Sequence, residues 1–254
     1  MAAMTPSLTL LPVGVGAAYA RPGEAQSAYL VRGAGRDVLV DLGAGAMNRL
    51  QRHVAPEALT AVVVTHLHPD HCADLLSLRV YMAWGPGRGR RIPVHGPAAL
   101  PERLMDFAGE DGWDEAFDFR PLAEAGGTLD LGGGLGLSYQ QVPHTLPTFA
   151  ARFDLGAVSI CLGADCAPGA ALPALASGCD VLLLECSFGA DPVPEGVAHL
   201  NAPAAGELAR AAGCRRLLLT HCYPEHDRDR ALEAAAAAFG GPVDWARQDE
   251  EVRP

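Results

Sequence analysis

The stretch Thr65-His66-Leu67-His68-Pro69-Asp70-His71 puts three imidazoles and a carboxylate within six residues. Buried, each of these groups needs a polar partner. Gathered at one place, they are the nitrogen and oxygen donors that hold divalent cations. The stretch directly follows the apolar run Ala61-Val62-Val63-Val64 and opens a helical pattern, so it belongs at the end of a strand. His66 and His68, two apart in an extended turn, can point to one side, while Asp70 and His71 begin the next helix and can face a second ion. The alternative is a solvated, His-rich loop. More donors stand just past other apolar segments: His144 after 135–142, Asp165 after Ser159-Ile160-Cys161-Leu162-Gly163, and His221 after Leu217-Leu218-Leu219-Thr220. Strand ends of this kind meet at one edge of a sheet.

The elements that must position them follow from periodicity and turn chemistry. Strand-like segments lie at 8–13, 28–32, 37–41 and 59–64, with a helix at 46–54 between the last two. A helix is expected from Asp70 to about Trp84, then a short strand ending at His95 and a helix at 98–108. Strands at 135–142, 150–155 and 157–162 precede an alternating end: strand 180–184, helix 202–212, strand 215–220, helix 227–239, strand 242–246. The helix at 202–212 has complete signals. Asn201 caps it, Pro203 suits its first turn, Gly213 can end it, and Ala205, Leu208, Ala209 and Ala212 form a buried stripe. Runs of strands followed by strand–helix alternation predict an α/β fold, α+β on a stricter scheme, with two mixed sheets and helices on their outer faces.

Composition narrows the function classes. The 254 residues are 49% hydrophobic and 19% charged, which suits one globular domain over 1–254 and excludes disorder, collagen and coiled coil. The net charge is −11, and all 19 basic residues are Arg. Such a chain repels phosphate backbones, so no broad nucleic-acid surface is expected. The seven Cys are scattered without a C-x-x-C pair, several inside apolar runs, which reads as buried thiols in a reducing cytoplasm. Ala18-Tyr19-Ala20 mimics a signal-peptide cleavage site. However, no Lys or Arg precedes it, and Pro12, Gly14 and Gly16 interrupt the apolar run, so a first strand is expected there instead. No apolar run approaches the length of a membrane span. Arg79-Val80-Tyr81-Met82-Ala83-Trp84 reads as core, a homodimer face being the alternative.

Taken in order, Val40-Asp41-Leu42-Gly43, the His66–His71 motif, His144, Gly163-Ala164-Asp165 and Thr220-His221 resemble the metallo-β-lactamase-fold hydrolase superfamily over nearly the whole chain. That resemblance implies a four-layer αββα sandwich with two divalent ions, Zn²⁺ by best fit and Mn²⁺ or Fe²⁺ as alternatives. His66, His68 and His144 would hold the first ion, Asp70, His71 and His221 the second, and Asp165 would bridge them. Two such ions about 3.5–4 Å apart lower the pKa of a shared water towards neutrality. Asp165 stands where the main β-lactamase subclass places a Cys, which favours the hydrolase and phosphodiesterase branches; the adjacent Cys166 reads as structural. Asp41 and Thr65 read either as groups orienting ligand imidazoles or as turn residues.

Within that superfamily the chain resembles ribonuclease Z-like phosphodiesterases. In that family a His placed like His199 protonates the leaving oxygen or serves the phosphate, and the Glu of a His-Glu-Ala-Thr stretch orients it. Here the stretch is Leu184-Glu185-Cys186-Ser187, so the Glu matches and the leading His does not. Asp165 follows His144 by only 21 positions, which leaves no room for the long tRNA-gripping arm of ribonuclease Z. The resemblance therefore implies a compact, armless hydrolase of small phosphodiesters or cyclic nucleotides. Ribonuclease Z-type RNA processing, a thioesterase or lactonase, and a non-catalytic metal-binding scaffold are the alternatives. Of the other imidazoles, His53 is expected to be exposed, His226 solvated and His95 structural.

Overall fold

The computed structural model describes residues 7–254. Strands β1 (Thr9–Gly14), β2 (Ala28–Gly33), β3 (Arg36–Val40), β4 (Ala61–Val63), β5 (Ile92–Gly96) and β6 (Phe117–Pro121) form a six-stranded sheet in chain order. The β1–β2 and β2–β3 pairs are antiparallel, and those from β3 to β6 are parallel. Strands β7 (Gly127–Asp130), β8 (Leu135–Val142), β9 (Thr148–Leu155), β10 (Val158–Leu162), β11 (Val181–Glu185), β12 (Arg216–Thr220) and β13 (Val243–Trp245) form a seven-stranded sheet, again in chain order. It too is antiparallel from β7 to β10 and parallel from β10 to β13.

Side chains alternate across a strand, so a strand that is apolar throughout must be covered on both faces. In β11, Val181 and Leu183 join Val40, Val63, Phe153, Ile160 and Leu218 between the sheets, while Leu182 and Leu184 join Cys161, Leu217 and Leu219 against the outer helices. The helix Ala202–Ala212 packs there beside the helix Arg228–Phe239, capped by Asn201 and ended by a left-handed Gly213. Leu75, Leu78, Met82 and Leu100 cover the outer face of the first sheet. The four layers are helix, sheet, sheet and helix, as the resemblance implied.

Three local expectations are corrected. The helix expected from Asp70 to Trp84 is two helices, Pro69–Cys72 and Leu75–Trp84. The Asp74 N–H donates to Leu42 O at 3.0 Å rather than to the carbonyl four residues back, and this breaks the ladder. The helix expected at 46–54 is a four-residue turn of helix, Met47–Leu50, that decays into turns. Strands β6 and β7 were not anticipated. Both are sheet edges, largely half-buried or exposed, with polar residues where a central strand would be apolar. The 79–84 stretch divides: Arg79 and Met82 are buried, and Val80 and Trp84 are exposed. Among the described residues no helix is long and apolar enough to cross a membrane.

Candidate metal centre

Strands β3 and β4 run parallel in the first sheet and β10, β11 and β12 in the second, where β8 shares their direction, and the residues that end or follow all six strands meet at one edge. Ligand sites of open α/β sheets form at this edge. Asp41 follows β3, His66 follows β4, His144 follows β8, Asp165 follows β10, Glu185 ends β11 and His221 follows β12. His68 is the extended residue that Pro69 demands before a helix, at φ −72° and ψ 143°. Asp70 and His71 lie in the short helix that Pro69 starts. Asp41, Ala164 and His221 all have positive φ, between 53° and 60°. Left-handed backbone at three non-glycine positions is unfavourable and gathers at functional sites.

Two groups of donors that share Asp165 result, and a third gathers Asp165, Glu185 and His199, with His199 Nδ1 3.8 Å from Asp165 Oδ2. His66 Nε2 lies 3.0 Å from His68 Nδ1, which lies 3.2 Å from His144 Nε2, and His66 Nε2 is 3.9 Å from Asp165 Oδ2. In the second group, His221 Nε2 is 3.0 Å from Asp70 Oδ2, 3.4 Å from His71 Nε2 and 3.5 Å from Asp165 Oδ2. The other oxygen of Asp165 is 3.4 Å from His71 Nε2. The seven donor residues predicted from the sequence therefore converge, with Asp165 between the two sets.

The far side of four of the five imidazoles is fixed as well. His144 Nδ1 donates to Ala198 O at 2.7 Å, which leaves its Nε2 lone pair facing His68. His71 Nδ1 donates to Asp41 Oδ2 at 2.7 Å, and Thr65 gives that carboxylate its N–H and its hydroxyl. His66 Nδ1 meets Thr65 Oγ1 at 3.0 Å. Asp41 and Thr65 thus orient the rings of His71 and His66. Ser187 was missed: its Oγ meets His221 Nδ1 at 3.0 Å and also donates to Glu185.

The electrostatics match the two sets. Burial, with repulsion from His71, pushes His66 well below its ordinary pKa, and burial lowers His68 and His144. These three are neutral rings with lone pairs turned inward. Burial is the largest single influence on His71 and His221 too and opposes their charge, but Asp165 together with Asp41 at His71 and Asp70 at His221 outweighs it, so His71 rises well above its usual value and His221 to about 9. Asp165, buried beside them, is held well below the carboxylate range by His221 and His71 despite its burial. Four buried carboxylates, Asp41, Asp70, Asp165 and Glu185, need positive charge or hydrogen-bond donors around them. Inward lone pairs beside buried carboxylates are the donor chemistry of divalent cations, so these residues fit the metals.

His199 stands beside both sets. Its Nδ1 donates to Glu185 Oε1 at 2.9 Å, and the same oxygen accepts the Cys166 N–H at 2.8 Å. Its ring lies 5.0 Å from that of His144 and stacks at 6.1 Å on that of His221. Burial disfavours its charge, but the hydrogen bond and negative charge of Glu185, with the charge of Asp165, together overcome this and raise its pKa. Cys166 is fully buried, as expected of a structural thiol. His95 is buried in β5 and takes no part. Two expectations are corrected. His53 is half-buried, its Nε2 2.6 Å from Asp249 Oδ1, and His226 is held by Asp191 at 3.0 Å rather than solvated. In each case a distant carboxylate covers the ring.

The fold and this donor set define the metallo-hydrolases of the metallo-β-lactamase fold. Residues 36–222 match the family described as the beta-lactamase superfamily domain, and the chain belongs to it. Among relatives, the uncharacterized protein Rv1339 of Mycobacterium tuberculosis is 34% identical over 97% of this chain and 93% of its own length. The probable metallo-hydrolase YhfI of Bacillus subtilis is 27% identical over 92% of this chain and 95% of its own. The YhfI crystal structure superposes with a TM-score of 0.88, covering 98% of this chain and all of YhfI. The short form of human tRNase Z gives 0.75 at 21% identity, covering 96% of this chain and 98% of that one. A diphosphatase from the PhnP family gives 0.74 at 18% identity, covering 96% and 97%. These structures share the fold.

Proposed function

We propose that the protein is a dinuclear metal-dependent phosphodiesterase acting on small phosphodiesters, cyclic nucleotides among them. His66, His68 and His144 would hold one ion, Asp70, His71 and His221 the other, and Asp165 both; Zn²⁺ suits the donors best. When bound, two such ions acidify water and polarise phosphoryl oxygens. The observation that carries the reading is His199, which belongs to neither three-ligand set yet is held beside both by Glu185. Hydrolysis breaks the bond between phosphorus and the ester oxygen, and a departing alkoxide needs a proton. His199, its pKa raised by Glu185 and its Nε2 free of the Glu185 hydrogen bond, would supply it. Asp41, Thr65, Ser187 and the Ala198 carbonyl do no chemistry. They fix the tautomer and plane of the ligand rings.

Small substrates are favoured because His144 and Asp165 are joined only by β9, β10 and short connections. The diphosphatase and tRNase Z likenesses support phosphoester chemistry without choosing the ester. The test is elemental analysis of chelator-free protein combined with a panel of phosphodiester, phosphomonoester, thioester and lactone substrates. Two metals per chain and cleavage of bis(p-nitrophenyl) phosphate and a cyclic nucleotide are expected. Absence of metal after reconstitution with Zn²⁺ or Mn²⁺, or a clear preference for thioester or lactone, would overturn the proposal. So would efficient trimming of precursor tRNA.

A further inference from the structure

A cavity of about 350 Å³ opens beside the metal centre, with the motif residues Leu67, His68 and Pro69 forming one wall. Across it stands the helix Leu100–Ala108, which contributes Arg103, Leu104 and Phe107. Its size lies at the lower end of small-ligand sites. Apart from His68 and Arg103 its lining is apolar. Arg103 and Phe107 are four apart and so neighbours on one helix face. Phe107 is 81% exposed and has no aromatic partner among the described residues. Arg103 makes no ion pair there either, although Glu102 and Asp106 lie beside it in the chain. An unpaired cation and an uncovered aromatic face at the mouth of an apolar pocket, in a chain of net charge −11, are placed for a flat apolar group tethered to an anion.

We propose that this pocket receives the nucleobase of a nucleotide substrate, its face against Phe107, with Arg103 drawing in the phosphate charge. The wall shared with the metal motif makes the tether short: a base fixed to the reacting phosphate through one sugar sits next door. With no amide or hydroxyl side chain in the lining, base edges go unread. Recognition is then by stacking, which tolerates any base. This inference rests on the phosphodiesterase reading and extends it from phosphodiesters in general to nucleotides.

The test uses Zn²⁺-loaded protein and calorimetric titration with adenosine 5′-monophosphate and with ribose 5-phosphate, which differ by the base alone. The wild type should bind the nucleotide about 5- to 150-fold more tightly, the range expected for one stacked base. Phe107→Ala should collapse that ratio towards one, and Phe107→Tyr should keep it. Arg103→Gln should weaken both ligands and flatten their salt dependence. Equal affinity of the wild type for the two ligands (absence of binding included), a ratio unchanged in Phe107→Ala, or an Arg103→Gln protein binding both as the wild type does would overturn the proposal. Phe107 is exposed, so its replacement should leave folding intact. Tight, Phe107-dependent nucleotide binding by a protein that cleaves no diester would keep the pocket and remove the proposed function. Cleavage of base-bearing and abasic cyclic phosphates with one preference in wild type and Phe107→Ala would do the reverse.

Discussion

Asp41→Asn isolates the role of a residue that touches no candidate ion. The carboxylate accepts three hydrogen bonds, from Thr65 N–H at 2.7 Å, Thr65 Oγ1 at 2.8 Å and His71 Nδ1 at 2.7 Å. An amide cannot accept all three. With its oxygen towards the Thr65 N–H, its NH₂ faces His71 Nδ1, which must then accept; the proton moves to Nε2, the nitrogen turned towards Asp165 and His221. Flipped, the NH₂ meets the Thr65 N–H donor to donor and leaves a buried N–H unpaired, at a cost of about 1–3 kcal/mol. Either outcome weakens the Asp70–His71–His221 set, and loss of such an orienting partner typically lowers metal affinity by about 10- to 100-fold. Backbone strain does not confound the change, because Asn adopts the φ of 60° found at Asp41 as readily as Asp does. Competition with a graded series of chelators should resolve two dissociation constants, the weaker one further weakened in the variant. An Asn variant that holds both ions with wild-type constants would refute the reasoning.

The other predictions concern separate parts of the molecule. His199→Ala should retain both metals but lose about 10²–10⁴-fold in turnover of diesters with alkoxide leaving groups, and much less with p-nitrophenolate, which departs without a proton; metal loss, or an equal effect on both substrates, would exclude a proton-donating role. Glu185→Gln should show a weaker form of the same leaving-group dependence. Gly43→Ala should destabilise the protein by about 1–3 kcal/mol in urea unfolding and loosen the second ion, because a Cβ there would sit 2.0 Å from Asp70 O; wild-type stability would contradict it. Asp249→Asn should cost about 1–2 kcal/mol near pH 7, since Asp249 gathers Arg49, Arg52 and His53. Burial opposes its ionisation, but the His53 hydrogen bond and the two guanidinium charges keep its pKa below the usual 3.8. A carboxylate depressed on folding stabilises above its unfolded pKa and loses that contribution as pH falls through the folded one. The gap between wild type and variant should therefore be full above about pH 5 and close below pH 3.8; a gap independent of pH would count against it.

What was legible in the sequence divides by the range of the interactions that decide it. Val181–Glu185 and Arg216–Thr220 declare themselves because a strand buried on both faces must be apolar throughout, and the residue after each run marks the edge where strands end together. That places Glu185 and His221, and the same argument places His66 and Asp165; His144 is placed by following β8, whose burial alternates along the strand. The break at Ala73–Asp74 is different. Nothing in 70–84 forbids a continuous helix; the interruption comes from Leu42 O, more than thirty residues earlier, capturing the Asp74 N–H. His53 and Asp249 are 196 positions apart, and Asp191 reaches His226 over 35, so a local reading can only leave both rings in solvent. Ser187 shows the limit within the site itself: a small hydroxyl carries no pattern, and its purpose appears only once His221 and Glu185 are seen on either side of it. The donors of the candidate centre are legible because their chemistry is dense and rarely tolerated in a core. The groups that aim those donors are ordinary residues whose meaning is conferred by distant partners.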